Sequence, residues 1–232
     1  MNNLLVVISG PSGSGKGETI KRILSERADF KRISTYTTRQ QRDGEKDGEQ
    51  YNFISCEEYL KLLDAQKLMA CSKIENTYYG APIIDDSIFD KDKQKAIIDI
   101  GVSGGMEIKK KNPDAVMIYL IPETEEQLIR QRGNRGKIRQ ARGIKQIQDL
   151  LSSNKYEWWV KNGNIDKTVK KVELLVDFIH KMKYTGLTER EEKMYEKMLE
   201  YFSINSDKNR KFLEQFYQID RGDNEKWEEK WM

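Results

Sequence analysis

The sequence predicts an α/β fold, a parallel sheet with helices on both faces, and three observations predict it. Leu4-Leu-Val-Val-Ile8 is wholly apolar and runs straight into the glycine-rich stretch Gly10–Gly17, as a strand buried on both faces does. Lys95–Ile100 and Ala115–Ile121 are two further buried-strand candidates, separated by a short helix over Gly104–Lys111 that stops before Pro113. Ile165–Met182 carries Val169, Val172, Leu175, Val176 and Ile179 at helical spacing. Strands alternating with helices in this way imply parallel pairing.

The remaining elements follow in chain order. Gly17–Glu26 reads as a helix with Ile20, Ile23 and Leu24 on one face. Residues 35–81 interrupt the core with Thr, Arg, Gly and Tyr clusters and a short sheet around Tyr51–Ser55. Residues 127–145 form a second insertion. Between Gln127 and Gln148 there are seven Lys or Arg residues and no acid, although the whole chain has a net charge of only +3. A local basic cluster in a near-neutral chain suits a compact anion, so neither nucleic acid nor membrane is expected as a partner. Beyond Lys183 the character changes again. Thr188-Glu-Arg-Glu191 has capping-box spacing and opens a helix with Met194, Met198 and Phe202. Phe212, Leu213, Phe216 and Tyr217 suggest a second helix, and Trp227 and Trp231 a third.

No apolar run reaches the ~20 residues of a membrane helix. Leu4–Ile8 lacks the basic flank and cleavage site of a signal peptide. Cys56 and Cys71 match no disulfide or metal framework. A cytoplasmic chain with reduced thiols is therefore expected.

Gly10-Pro11-Ser12-Gly13-Ser14-Gly15-Lys16 follows a strand and opens a helix, the context in which such a loop cradles phosphate. Glycines let successive N–H groups turn inward, the helix N-terminus adds its dipole, and Lys16 adds a mobile full charge. The expected ligand is ATP with Mg²⁺. The residue after the lysine usually carries a hydroxyl that ligates the metal. Here it is Gly17, with Thr19 out of register, so Mg²⁺ would rest mainly on phosphate oxygens and waters oriented by Asp99.

Four segments in order resemble the guanylate kinase family: Gly10–Lys16, Thr37-Thr-Arg39, Asn76-Thr-Tyr-Tyr-Gly80 and Ala96-Ile-Ile-Asp99. The match spans roughly residues 4 to 182. The resemblance implies a P-loop kinase core of residues 1–34, 82–126 and 146–183, an acceptor-binding segment over 35–81 and a lid over 127–145, and leaves residues 184–232 outside the family pattern as a C-terminal helical extension. It implies transfer of the ATP γ-phosphoryl to a nucleoside monophosphate. Arg39, Arg42, Tyr51 and Tyr79 match the two arginines and two tyrosines that grip the acceptor phosphate, a task suited to forked guanidinium donors and directed hydroxyls. Arg130, Arg135 and Arg142 match the lid arginines that neutralise the moving phosphoryl group. The lid is about four residues shorter than in the family, roughly one helical turn, which leaves Arg139 as the alternative to Arg142.

The base-reading positions depart from the family. Alignment on Tyr78-Tyr79 places Ala70 where a Glu reads guanine and Ala81 where a hydroxyl donates to the guanine oxygen. Gly101 replaces a second Asp, and Thr35 alone keeps its hydroxyl. Strict selection of GMP or dGMP is then not expected, and another or modified nucleotide becomes a candidate. Cys71, Ser72, Lys73 and Ser103 are the other polar candidates, and a local slip of alignment would bring in Glu75. Two other readings stay open: a non-catalytic binding module of the same family, and a kinase of a phosphorylated sugar. The extension could brace the core, form a homodimer or alter selectivity. His180, Trp158, Trp159, Met194 and Met198 read as structural, and Asp85 and Asp86 as helix-capping residues.

Overall fold

The computed structural model describes residues 3–11, 13–74, 76–89, 94–122, 156–204, 209 and 211. Five strands make the main sheet: β1 (Leu4–Ser9), β2 (Phe30–Ile33), β7 (Lys95–Asp99), β8 (Val116–Pro122) and β9 (Trp158–Asn162). Their order is β2-β7-β1-β8-β9 and every pairing is parallel. All five strands therefore end along one edge, the edge where open α/β sheets bind ligands.

Alternation along β1 divides the core. Leu4, Val6 and Ile8 pack with α1 (Lys16–Glu26) and with residues 165–184, which form a long helix labelled α4 below. Leu5 and Val7 face the opposite layer, with Val102 and Ile108 of α3 (Val102–Lys111). Period-two burial on both faces is why these strands read as continuous apolar runs.

The segment between β2 and β7 builds a separate four-stranded sheet. It consists of β3 (Thr35–Thr37), β4 (Tyr51–Phe53), β5 (Leu68–Ile74) and β6 (Thr77–Pro82), in the order β4-β3-β6-β5. Helix α2 (Cys56–Asp64) precedes β5, opened by a Ser55/Glu58 capping box. Neither β2 nor α2 is predicted from the sequence. Phe30–Ile33 is too short and too charged to signal a strand, yet it pairs with β7 from Phe30↔Lys95 to Ile33↔Ile98.

α4 (Ile165–Tyr184) is capped by Asn164, and His180 lies against Tyr184 with ring centroids 5.0 Å apart. The predicted box at Thr188/Glu191 opens α5 (Glu189–Phe202). Its stripe of Tyr195, Met198 and Phe202 packs on the core beside Phe178 and Trp158. Met194 departs from expectation: it is 43% exposed, against 5% for Met198. The buried stripe begins at Tyr195, about 100° further round the helix, so Met194 falls at its margin. Ile204 N–H then donates to Glu157 O at 3.0 Å, which fastens the segment beside β9. Trp158 and Trp159 are buried within β9, and Asp85 caps the 3-10 turn Asp86–Ile88. Among the described residues no helix is long and apolar enough to cross a membrane. Phe212, Leu213, Phe216, Tyr217, Trp227 and Trp231 lie outside the described residues.

Candidate active site

The loop leaving β1 is shaped by close approaches that admit only glycine at two places. Gly10 has φ +154°, and a Cβ there would lie 2.2 Å from the carbonyl oxygen of Leu120 in β8. Gly15 has φ +82°, and its Cβ would lie 2.1 Å from Asn162 Nδ2. Asn162, at the end of β9, donates from Nδ2 to Ser14 O at 2.7 Å, and its Oδ1 accepts from Thr168 Oγ1 at 3.0 Å. This brace from the far strand is not visible in the loop motif.

Lys16 Nζ donates to Gly10 O at 2.9 Å and Pro11 O at 3.1 Å, so its charge lies along the loop. Ser14 Oγ is enclosed without a hydrogen-bond partner among the described residues. Gly13 has φ +84°. A curled, glycine-shaped backbone at a helix N-terminus, with one lysine across it, suits a polyphosphate chain. Ser12 lies outside the described residues.

Thr19 cannot replace the hydroxyl absent at Gly17, because its Oγ1 donates to Gly15 O at 3.0 Å within α1. Facing Gly17 is the side chain of Gln50: a Cβ on the glycine would stand 3.5 Å from Gln50 Oε1. Gln50 Nε2 donates to Asp99 Oδ2 at 3.1 Å, and Gln50 O accepts from Thr35 N at 3.2 Å. Asp99 pairs with Ile8 in the sheet, level with the entry to the loop. Among the described residues no group of three or more His, Cys, Asp or Glu side chains could hold a metal. The donors facing the loop are carboxylate and carboxamide oxygens, which fit a hard cation carried mainly by phosphate and water.

The second sheet brings the acceptor-phosphate candidates together. Thr35 pairs with Tyr51 and Thr37 with Tyr79, so β3 holds the two tyrosines on neighbouring strands. Their rings meet edge-on with centroids 6.3 Å apart. The Arg39 guanidinium lies 5.0 Å above the Tyr51 ring and 5.3 Å from that of Phe53. Its Nη1 and Nη2 donate to Glu45 at 2.7 and 2.6 Å. The Arg39 hydrogen bond holds the Glu45 carboxyl below the usual carboxylate range. Burial, and then Asp99, push the Tyr51 phenol well above its ordinary value, which keeps it a protonated donor. Arg42 is exposed and joins the cluster through its backbone N–H, which donates to Glu45 Oε2 at 2.8 Å.

Ala70 and Ala81 are direct cross-strand partners, 1% and 0% exposed. Ile100 packs against the same apolar layer. Among the described residues a Cβ on Gly101 would meet nothing within 4 Å. Thr35 is buried at 4%. Of the other polar candidates, Cys71 N–H donates to Glu107 Oε2 at 3.1 Å and Lys73 Nζ sits 5.0 Å above the Tyr78 ring. Ser72 pairs with Tyr79, and Ser103 is exposed on the first turn of α3. Glu75, Arg130, Arg135, Arg139 and Arg142 lie outside the described residues. Sequence reasoning missed Gln50 and Asn162, whose partners are distant in the chain, and Glu45, whose hold on nearby Arg39 depends on how the intervening loop folds.

The guanylate kinase family model matches residues 2–179. A guanylate kinase from Caldanaerobacter subterraneus subsp. tengcongensis is 32% identical over 179 residues, covering 75% of this chain and 86% of that one. One from Prochlorococcus marinus subsp. pastoris is 33% identical over 180 residues, covering 74% and 97%. The crystal structure of guanylate kinase from Anaplasma phagocytophilum shares the fold with a TM-score of 0.61 at 18% identity, over 80% of this chain and 97% of that chain. With its phosphate loop on the edge of a parallel sheet and this match through α4, the chain belongs to the guanylate kinase family of ATP-dependent nucleoside monophosphate kinases.

Proposed function

We propose that the chain transfers the γ-phosphoryl group of ATP to a nucleoside monophosphate without selecting guanine through the family's usual side chains. The observation carrying this reading is the buried Ala70–Ala81 pair, together with a Gly101 that has no side chain to offer. Three positions expected to hydrogen-bond the base offer it nothing, and only Thr35 keeps a hydroxyl. Discrimination built on such hydrogen bonds can reach ~10⁴-fold, and removing the donors and acceptors removes its physical basis.

In this reading residues 10–17 and Lys16 hold the donor phosphates. The segment 35–81, through Arg39, Arg42, Tyr51 and Tyr79, holds the acceptor phosphate. The segment 127–145 closes over both and brings Arg130, Arg135 and Arg142 to the moving group. Tyr51 donates a proton-bearing hydroxyl throughout, and Arg39 exchanges Glu45 for phosphate oxygens when the acceptor arrives. Asp99 and Gln50 would hold the waters of a Mg²⁺ carried by ATP, which would supply charge neutralisation at the phosphates.

The test is a panel of GMP, dGMP, AMP, CMP, UMP and dTMP, each incubated with Mg-ATP and separated chromatographically. Transfer to several acceptors, or preference for one other than GMP, is expected, with Lys16→Met as the inactive control. GMP consumed far faster than every other acceptor overturns the altered-base reading.

A further inference from the structure

Beside Asp99 stands a cation that the catalytic assignments above do not use. Arg32, on β2, pairs with Ile97 two residues before Asp99, so it lies near the ligand-binding edge of the sheet. Two of its three guanidinium nitrogens, Nε and Nη2, are enclosed and have no hydrogen-bond partner among the described residues. Other enclosed bases are paired. Arg27 and Lys95 share Asp29 and Asp177 at 2.7 to 2.8 Å, and Arg39 holds Glu45. Asp99 makes no hydrogen bond to Arg32 Nε or Nη2, and its Oδ2 accepts from Gln50.

We propose that Arg32 binds the phosphate group of the acceptor nucleotide, beside Tyr51. The inference rests on the functional reading above and adds a phosphate ligand outside Arg39 and Arg42. A buried guanidinium with two N–H-bearing nitrogens unpaired is unfavourable in the free protein, and a phosphate dianion matches its planar fork. Burial lowers its proton affinity, opposed by Asp99, Tyr51 and Glu49, so these are the groups around it. An arginine so placed keeps its charge at neutral pH. The acceptor side is favoured because Tyr51 and Glu49 lie on or next to β4, at the acceptor sheet, while the loop and Lys16 serve the donor from β1. Gln50 joins the two regions, through Asp99 on one side and Thr35 on the other.

The test compares wild type with Arg32→Met and Arg32→Lys by thermal shift and calorimetric titration. ATP and whichever of GMP, AMP, CMP and dTMP stabilises wild type most are the probes. Arg32→Met is expected to melt at or above the wild-type temperature without ligand, to keep its ATP affinity, and to bind the monophosphate about 10- to 100-fold more weakly. Arg32→Lys keeps the charge but loses the fork, and is expected to bind several-fold more weakly. Monophosphate affinity within twofold of wild type in either folded variant overturns the proposal, as does a loss confined to ATP. If Arg32→Met does not fold, Arg32→Lys alone decides. A wild-type chain that neither ATP nor any monophosphate stabilises refutes the functional reading itself.

Discussion

Ala70 stands directly opposite Ala81 in the β5–β6 ladder, and both methyl groups are buried. Two positions eleven residues apart in the chain, which the family resemblance matches to guanine-reading residues, therefore adjoin in space. Ala70→Glu together with Ala81→Ser is expected to raise the preference for GMP over other monophosphates by roughly tenfold or more. The same pair should lower the melting temperature, because it places a carboxylate at a site that is 1% exposed. Competition between two monophosphates reads the first effect and calorimetry the second. Unchanged selectivity in a folded double variant would count against the assignment of this face to the base.

The brace from Asn162 to Ser14 makes loop geometry depend on the far strand β9. Asn162→Ala removes that hydrogen bond and leaves Thr168 Oγ1 with one acceptor fewer, so a stability loss of about 1 kcal/mol is expected, with weaker ATP binding. Gly15→Ala should cost more, because φ is +82° and the new methyl displaces the Asn162 amide. Chemical denaturation and ATP titration check both. Equal affinity for ATP in all three proteins would show that the brace is purely structural.

Gly17→Ser tests the metal site with little risk to the fold. The new Cβ meets Gln50 at 3.5 Å, an ordinary contact, and serine suits a helix at least as well as glycine. Its melting temperature is expected to stay near that of wild type, while half-saturation for Mg²⁺ falls in ATP-dependent turnover and in nucleotide binding titrated with the metal. A chain equally dependent on Mg²⁺ with and without the hydroxyl would show that Asp99, Gln50 and phosphate already suffice.

The Arg39–Glu45 pair gives a pH signature. The folded carboxyl lies below its ordinary value of 4.5, so the pair's contribution to stability is present above that pH and disappears as pH falls through the folded value. Glu45→Gln should therefore melt below wild type at neutral pH, and the gap should close as pH drops from about 6 to about 3. A gap that stays constant across that range would assign the effect to packing.

The strand–loop–helix at Leu4–Glu26, the strands at 95–100 and 115–121, the long helix from Ile165 and the capping box at Thr188 were legible in the sequence, to within a residue or two at most ends. Each is a local pattern: an apolar run, a helical stripe, or a cap three residues from its partner. The residues of the candidate loop, of the arginine–tyrosine set and of the alanine pair were likewise named from residue type, spacing and family resemblance; their roles rest on the proposal above. Tertiary structure decided the rest. Gln50 faces Gly17 and holds Asp99, Asn162 braces Ser14 and Glu45 occupies Arg39, through contacts between residues up to 148 apart, and Arg32 is enclosed with two nitrogens unpaired among the described residues. Such contacts depend on strand order, which no local periodicity encodes. The sequence by itself determined that a glycine-rich loop of phosphate-cradle type would follow β1; only the packing of β2, β4, β7 and β9 around that end decided which side chains surround it.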